Sequence, residues 1–431
     1  MKFKLAIVLF FLTSNCLSSE TLEEVALEAL NTNPVICSQK KGYKASCEIV
    51  RKARSDFFPQ ASVNYNVGPE EANNNSTRAI LGGSSHFRRE DATLFIGQTI
   101  YDGGQRSSTL KQKKADFCRT YSELRDTREN IAFRAAEAYL NVIRTNEIIK
   151  IYEEDVKSHA ETLENIKKKV EGGAGRASEV QLAESRLALA RSRLLRSQGD
   201  YRTAENSFIE VVGRPPNVEE MSTPTLISPQ FSTLEEAIEQ AFCCNPKIAA
   251  AFANAQSSHA KIGVSRSQLS PKLSFDITYF HGNDLNGVPG SNLLVNGLFA
   301  INWDFFTSGK HLAQIRADRA LYAQALCDIE NTKRIVENEV STSFELYVID
   351  QERLVELVRH KDTSFEVFES YGKEFEVGSR SLFDLLNAQI EFNNARVSEA
   401  NGVFDIYTDA YRLLASTGEL VNHISYFCCD E

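Results

Sequence analysis

Beyond its first residues, no stretch of this 431-residue chain comes near about eighteen consecutive apolar residues, so no helix is expected to cross a membrane. Proline is missing between Pro69 and Pro215 and again after Pro289, and glycine is missing from Gln105 to Glu171 and from Lys310 to Tyr371. Those two gaps leave nothing to break a helix, and each predicts an uninterrupted helix of over sixty residues, about 90–100 Å long. Neither C-x-x-C nor H-E-x-x-H nor G-x-S-x-G occurs. The seven histidines (His86, His159, His259, His281, His311, His360 and His423) have no metal-ligand spacing, so no metal, cofactor or enzymatic activity is expected. GGAGRAS at 172–178 lacks the G-K-[ST] ending and the preceding strand of a phosphate loop.

What is present begins with a secretory signature. Lys2 and Lys4 precede the apolar run Leu5 to Leu12 and a small-residue stretch, which predicts a signal peptide over 1–18 with cleavage near Ser18. Cys16 leaves lipidation open as an alternative. Removing the two lysines takes the net charge from −10 to −12, a poor balance for a nucleic-acid partner. Of nine cysteines, eight survive cleavage: Cys37, Cys47, Cys118, Cys243, Cys244, Cys327, Cys428 and Cys429. Export permits disulfides but does not assign them; small buried side chains and incidental bridges both remain open.

The chain also says the same thing twice. TLEEVALEALNTNPVI, from Thr21, and TLEEAIEQAFCCNPKI, from Thr233, agree at eight of sixteen positions. At that offset of 212, Pro59 lies over Pro271; at an offset of 205, Gly104 lies over Gly309, Gly173 over Gly378 and Gly213 over Gly418. A tandem duplication follows. We read a first repeat over 19–216, a linker over 217–230, a second repeat over 231–418 and a C-terminal tail over 419–431. Each long helix ends at a glycine-bearing turn, EGGAG (171–175) or EVGSR (376–380), and return helices run from about Ala177 to Val212 and Ser381 to Ser416. Ser178 and Ser381 suit the starts of those helices. Leu312, Ile315, Tyr322, Leu326, Ile329, Val336 and Val340 predict a coiled-coil seam that Arg319 and Lys333 interrupt.

Ahead of each long helix the period changes to two. Leu273, Phe275, Ile277 and Tyr279 alternate with polar residues, as do Phe299, Ile301, Trp303 and Phe305 with their neighbours; Ala61 to Val67 and Thr93 to Tyr101 are weaker copies. Glycine- and asparagine-rich loops join the strands of each pair. Four strands with an apolar aromatic face cannot close a membrane barrel, whose smallest forms have about eight. Three chains would supply twelve. The competing reading is a non-channel coiled-coil structural or adhesin-like envelope protein.

The duplicated L-E-E-[AV] and N-P opening, IYDGGQR (100–106) with FFTSGK (305–310), the two turns, FIEVVGRPP (208–216) and YRLLASTGEL (411–420) together resemble the outer-membrane efflux protein (TolC) family and its type I secretion relatives, over nearly the whole mature chain. The resemblance implies a mainly α fold with a membrane β-barrel part: long antiparallel coiled-coil helices form a tunnel, and four strands per protomer join a trimeric twelve-strand barrel. It implies an outer-membrane channel of a Gram-negative cell with a periplasmic extension, passively exporting proteins or small toxic compounds. Its partners would be two further copies, outer-membrane lipid, a periplasmic adaptor and an inner-membrane transporter. By the same resemblance Arg380 and Glu179 belong to the periplasmic latch, where Phe375 replaces the family's tyrosine and removes its hydroxyl link. Asp384 takes one carboxylate position of the constriction and Asn387 the other, so a trimer would carry three carboxylates rather than six and be blocked less by cations. An ordinary solvated helix position is the alternative for Asp384. Gly173, Arg176, Ser178, Gly378 and Ser381 fall where relatives meet the adaptor; without the resemblance they read as helix-ending turns.

Overall fold

The computed structural model of the protein describes residues 20–173, 175–227 and 231–427. The leader, with Cys16, and Cys428 and Cys429 lie outside the described residues. In chain order the elements are α1 (Leu22–Thr32), α2 (Pro34–Ser55), β1 (Gln60–Ala72), α3 (Asn75–Leu81), β2 (Ser85–Tyr101), α4 (Gln105–Glu171) and α5 (Ala177–Val212), then α6 (Leu234–Cys244), α7 (Pro246–Ser267), β3 (Lys272–Asn283), β4 (Ser291–Asn302), α8 (Lys310–Glu376), α9 (Leu382–Thr417) and α10 (Leu420–Phe427). Helices at matching places in the two halves have equal lengths: 11 residues for α1 and α6, 22 for α2 and α7, 67 for α4 and α8, 36 for α5 and α9. The chain divides into two compact units, one of residues up to 37 with 126–245 and 336 onward, the other of 38–125 with 246–335.

In the first unit the duplicated opening has a plain physical cause. Thr21 and Thr233 cap α1 and α6, each hydroxyl accepting from the backbone N–H of the glutamate three residues on, at 3.3 Å. Asn33 and Asn245 end those helices, and the prolines after them open the next helices, where a missing N–H costs nothing. Asn33 Nδ2 donates to the Val211 carbonyl (2.9 Å) and Asn245 Nδ2 to the Ser416 carbonyl (2.7 Å), so each asparagine satisfies a terminal carbonyl of the return helix of its own repeat. Gly213 and Gly418 follow those carbonyls in the left-handed conformation, with φ of 96° and 84°.

The first unit's core holds Tyr139, Phe208, Tyr411 and Leu413, all fully buried. The Tyr139 hydroxyl sits 2.7 Å from the carbonyls of both Glu20 and Ser222, and burial pushes its phenol up to about 12. Within the C-terminal stretch α10 packs back on the first unit: Leu420 and Ile424 are buried, and the Val421 N–H reaches the Glu129 carboxylate at 3.2 Å. Ser178 is the second residue of α5 rather than its cap, because the helix already begins at Ala177; Ser381 does cap α9, accepting from the Asp384 N–H at 3.2 Å. In α8 the seam is partial. Val336 and Val340, like Ile315 and Ile329 in the second unit, are buried, whereas Leu312 and Leu326 are about half exposed.

A cluster of acids in the first unit carries a pH prediction. The Asp409 carboxyl is pushed up to about 7, first by burial and then by the adjacent Asp350 carboxyl and by Asp405, against the pull of Arg412. Arg353 bridges Asp350 (3.2 Å) and Asp405 (3.5 Å), and Arg144 faces Asp405 at 3.6 Å. A proton held more tightly folded than unfolded stabilises fully below about pH 4, and that contribution is lost as pH rises to about 7. Asp409→Asn is therefore expected to raise the melting temperature at pH 8 and leave it nearly unchanged at pH 4.5, a difference of about 1–3 kcal/mol. Parallel melting curves of the two proteins across that range would contradict it.

In the second unit all four strands form one antiparallel sheet in the order β1-β2-β3-β4. The strands are longer than the alternation in the first half suggested. The loop after β1 also contains α3, whose start Asn74 caps by accepting from the Ser76 and Thr77 N–H groups. β4 stops at Asn302, opposite Lys272, so Trp303 and Phe305 lie past the strand; the Trp303 indole N–H turns to the Leu269 carbonyl at 3.2 Å. Cys37, Cys47, Cys118, Cys243 and Cys327 are free thiols.

Candidate functional site

The α8–α9 turn brings Phe375, Arg380, Asp384 and Asn387 onto one hairpin tip, while Glu179 stands on α5. α8 ends because Gly378, at φ 80°, reverses the chain: the Ser379 N–H donates to the Glu374 carbonyl (3.0 Å) and the Gly378 N–H to that of Phe375 (3.1 Å). The α4–α5 turn repeats the device with Gly173 at φ 79°, whose N–H reaches the Val170 carbonyl at 3.0 Å. A Cβ on either glycine would meet open space, so what these positions need is the backbone conformation. Arg176, Ser178 and Ser381 are exposed beside the turns.

The reversal folds Arg380 back over the last turns of α8. Its Nε donates to Glu374 Oε2 at 2.8 Å, and its guanidinium lies 4.1 Å from the centre of the Tyr371 ring. Tyr371 and Glu374 are three apart and share a helix face. The Glu374 hydrogen bond, despite opposing desolvation, holds the Arg380 pKa above its ordinary value. Glu179 is not brought to Arg380 within one chain: its carboxylate accepts from the Arg176 N–H at 3.1 Å, at the start of α5. Phe375 packs instead on Ile166, Leu382 and Leu386, with the Lys169 ammonium 4.5 Å from its ring.

Asp384 stands in the first turn of α9, where its Oδ2 accepts from the Ser381 hydroxyl at 2.7 Å. One turn on, Asn387 Oδ1 accepts from Arg186 of α5 at 2.9 Å. A cleft of about 420 Å³ between α8 and α9 is lined by both residues with Tyr371, Thr363 and Glu391. Farther along, a buried polar set ties α4 to α9. His159 and Asn393 both reach the Asp155 carboxylate, and Gln389 donates to the Ser158 hydroxyl at 3.0 Å. Glu374, Tyr371 and Arg186 were not anticipated. The first two were readable only once the turn's direction was known, and Arg186 meets its partner 201 residues away in sequence. Among the described residues no group of three or more histidines, cysteines, aspartates or glutamates could hold a metal.

Comparison with known proteins bears on the family and the fold. The family model of the outer membrane efflux protein matches residues 25–214 and 237–419. The outer membrane efflux protein BepC of Brucella suis is 22% identical over 418 residues, covering 95% of this chain and 88% of its own. The outer membrane protein TolC of Vibrio cholerae is 21% identical over 431 residues, covering 94% and 92%. Among solved structures, the outer membrane protein VceC of Vibrio cholerae superposes with a TM-score of 0.80 at 17% identity, over 92% of this chain and 96% of that one. The Campylobacter jejuni CmeC outer membrane channel does so with a TM-score of 0.80 at 15% identity, over 95% and 88%.

Proposed function

Because this chain belongs to the outer membrane efflux protein family, we propose that three copies assemble into an outer-membrane channel that passively exports proteins or small toxic compounds, supplied by a periplasmic adaptor and an inner-membrane transporter. One observation carries the reading. The sheet has two open edges and one continuous apolar face. The registers align Val63 with Leu94, Leu94 with Tyr279 and Tyr279 with Val295, and two residues away Ile96, Ile277 and Gly297 line up. Phe275 packs at a tilt against Phe299, ring centroids 4.8 Å apart, on that same face. Phe299 and Ile301 are 70% and 71% exposed, a cost in water that contact with lipid removes.

The opposite face presents Asn64, Asn66, Asp91, Asp276 and Asn296 among a few apolar residues, and suits a wet interior. Open edges are not tolerated in a membrane. With every neighbouring pair antiparallel, β4 of one copy would lie antiparallel to β1 of the next, and three sheets close at twelve strands. Each repeat would give two strands and one helical hairpin, the helices lining the periplasmic passage. In this reading Arg380, Glu179 and Phe375 belong to the latch at the narrow end. Gly173, Arg176, Ser178, Gly378 and Ser381 face the adaptor.

Conductance in planar bilayers tests the reading, and a trivalent cation added on the turn side tests the constriction. Wild type should conduct and be blocked through three copies of Asp384. Asp384→Ala should abolish that block. Asn387→Asp should lower the half-blocking concentration by about tenfold, roughly 1.4 kcal/mol, with Arg186 offsetting part of each added charge. A folded, trimeric protein that does not conduct would sink the channel reading. Block that persists in Asp384→Ala would sink only the constriction.

A further inference from the structure

The second unit contains a groove between residues 108–118 of α4, 252–266 of α7 and 319–329 of α8. Its volume is about 830 Å³, within the range of sites for small ligands, and it follows α7 for about 21 Å. One end is apolar: Ala255, Ala325 and Ile329 form a buried cluster, and Phe252 and Leu326 stand beside it, 45% and 44% exposed. Midway, the His259 ring packs on Tyr322 with centroids 5.0 Å apart. The other end is cationic, lined by Arg266, Arg319, Lys111 and Lys114.

That charge runs against the chain. The protein has 58 acidic and 48 basic side chains, yet among the described residues no aspartate or glutamate lines the groove. Neighbouring lysines do find acids: Lys113 pairs with Asp116 at 3.2 Å and Lys261 with Asp318 at 3.4 Å. Among the described residues, none of the four lining cations has a carboxylate within ion-pairing distance. Like charges gathered without a counter-ion repel one another, and an anion among them relieves that repulsion. The apolar end calls for hydrocarbon, and the length admits one extended chain.

We propose that this groove binds a single-chain amphipathic anion, its carboxylate or phosphate head among Arg266, Arg319, Lys111 and Lys114 and its hydrocarbon tail along Tyr322, Leu326 and Phe252. The site lies wholly within one copy and does not depend on the channel reading. The two ends of the groove assign the two ends of the ligand. A neutral alcohol of equal length would use only the apolar end, and inorganic phosphate only the cationic end.

The test uses the full-length protein in an uncharged detergent, with dansyl-labelled undecanoate as probe. Fluorescence should rise saturably, dodecanoate should displace the probe, and dodecanol and inorganic phosphate should each compete about tenfold or more weakly. Arg266→Glu with Arg319→Glu should weaken binding by at least about tenfold, Arg→Lys at both positions should retain most of it, and Lys111→Gln with Lys114→Gln should give an intermediate loss at exposed positions that do not threaten folding. Equal competition by dodecanol or by phosphate would overturn the proposal, as would unchanged binding in the glutamine variant. So would a co-purifying diacyl lipid that dodecanoate cannot displace, or failure of a maleimide to reach Arg319→Cys in the assembled protein, which would mean that a second copy covers the groove.

Discussion

Arg380→Ala is expected to open the resting channel, so that the variant conducts several times more than wild type in planar bilayers at the same protein density. The guanidinium makes a charge-assisted hydrogen bond to Glu374 and lies over the Tyr371 ring. Both partners belong to α8, and Arg380 sits just before α9, so these contacts fix the angle at which α9 leaves the turn. Three copies lose them together. A loss repeated in all three copies biases one closed–open equilibrium three times over, toward the open state.

The partners make the prediction specific. Glu374→Gln should open the channel nearly as far, because the charge that orients Arg380 is gone. Tyr371→Phe should not, because the ring face remains. Arg380→Lys should fall between, keeping the charge without the planar fork. An Arg380→Ala protein that is trimeric and conducts like wild type would remove the latch assignment while leaving the channel standing.

What could be read in advance was whatever depends on local chemistry. T-L-E-E and N-P were read in advance only as a repeat, and their role as caps emerged with the fold, whereas α4 and α8 were legible from their missing glycine and proline. Strand ends were less so. Trp303 and Phe305 continue the alternation, yet the chain leaves the ladder at Asn302 because β3 begins opposite it, at Lys272. α3 stayed hidden in an asparagine-rich stretch because Asn74 serves a turn and a cap equally well. Arg380 was found by its place in VGSR, but its pairing with Glu374 rather than Glu179 depends on how far Gly378 swings the chain, a three-dimensional fact. The groove beside α7 was invisible for the same reason: Arg266 and Arg319 are 53 residues apart, and Arg319 looked like an interruption in a seam.

Ile277→Arg is expected to remove the protein from the outer membrane, while Thr278→Arg, one residue on, is tolerated. Ile277 lies near the middle of β3, opposite Ile96 and Gly297, on the face that carries Val63, Leu94, Phe275, Tyr279, Val295 and Phe299. An arginine on the lipid face near the bilayer centre costs about 2–4 kcal/mol, and a trimer would carry three, about 6–12 kcal/mol in all. That is comparable to the whole stability of an ordinary domain, about 5–15 kcal/mol. Thr278 points to the other face, between Phe95 and Asn296, where a long cation can reach water and should shift ion selectivity toward anions. Membrane fractionation with heat-sensitive trimer bands distinguishes the two. If Ile277→Arg fractionates and conducts like wild type while Thr278→Arg does not, the apolar face is the inner one and the assignment of the two faces is reversed. If both are lost, the sheet is buried on both sides, as in a soluble assembly.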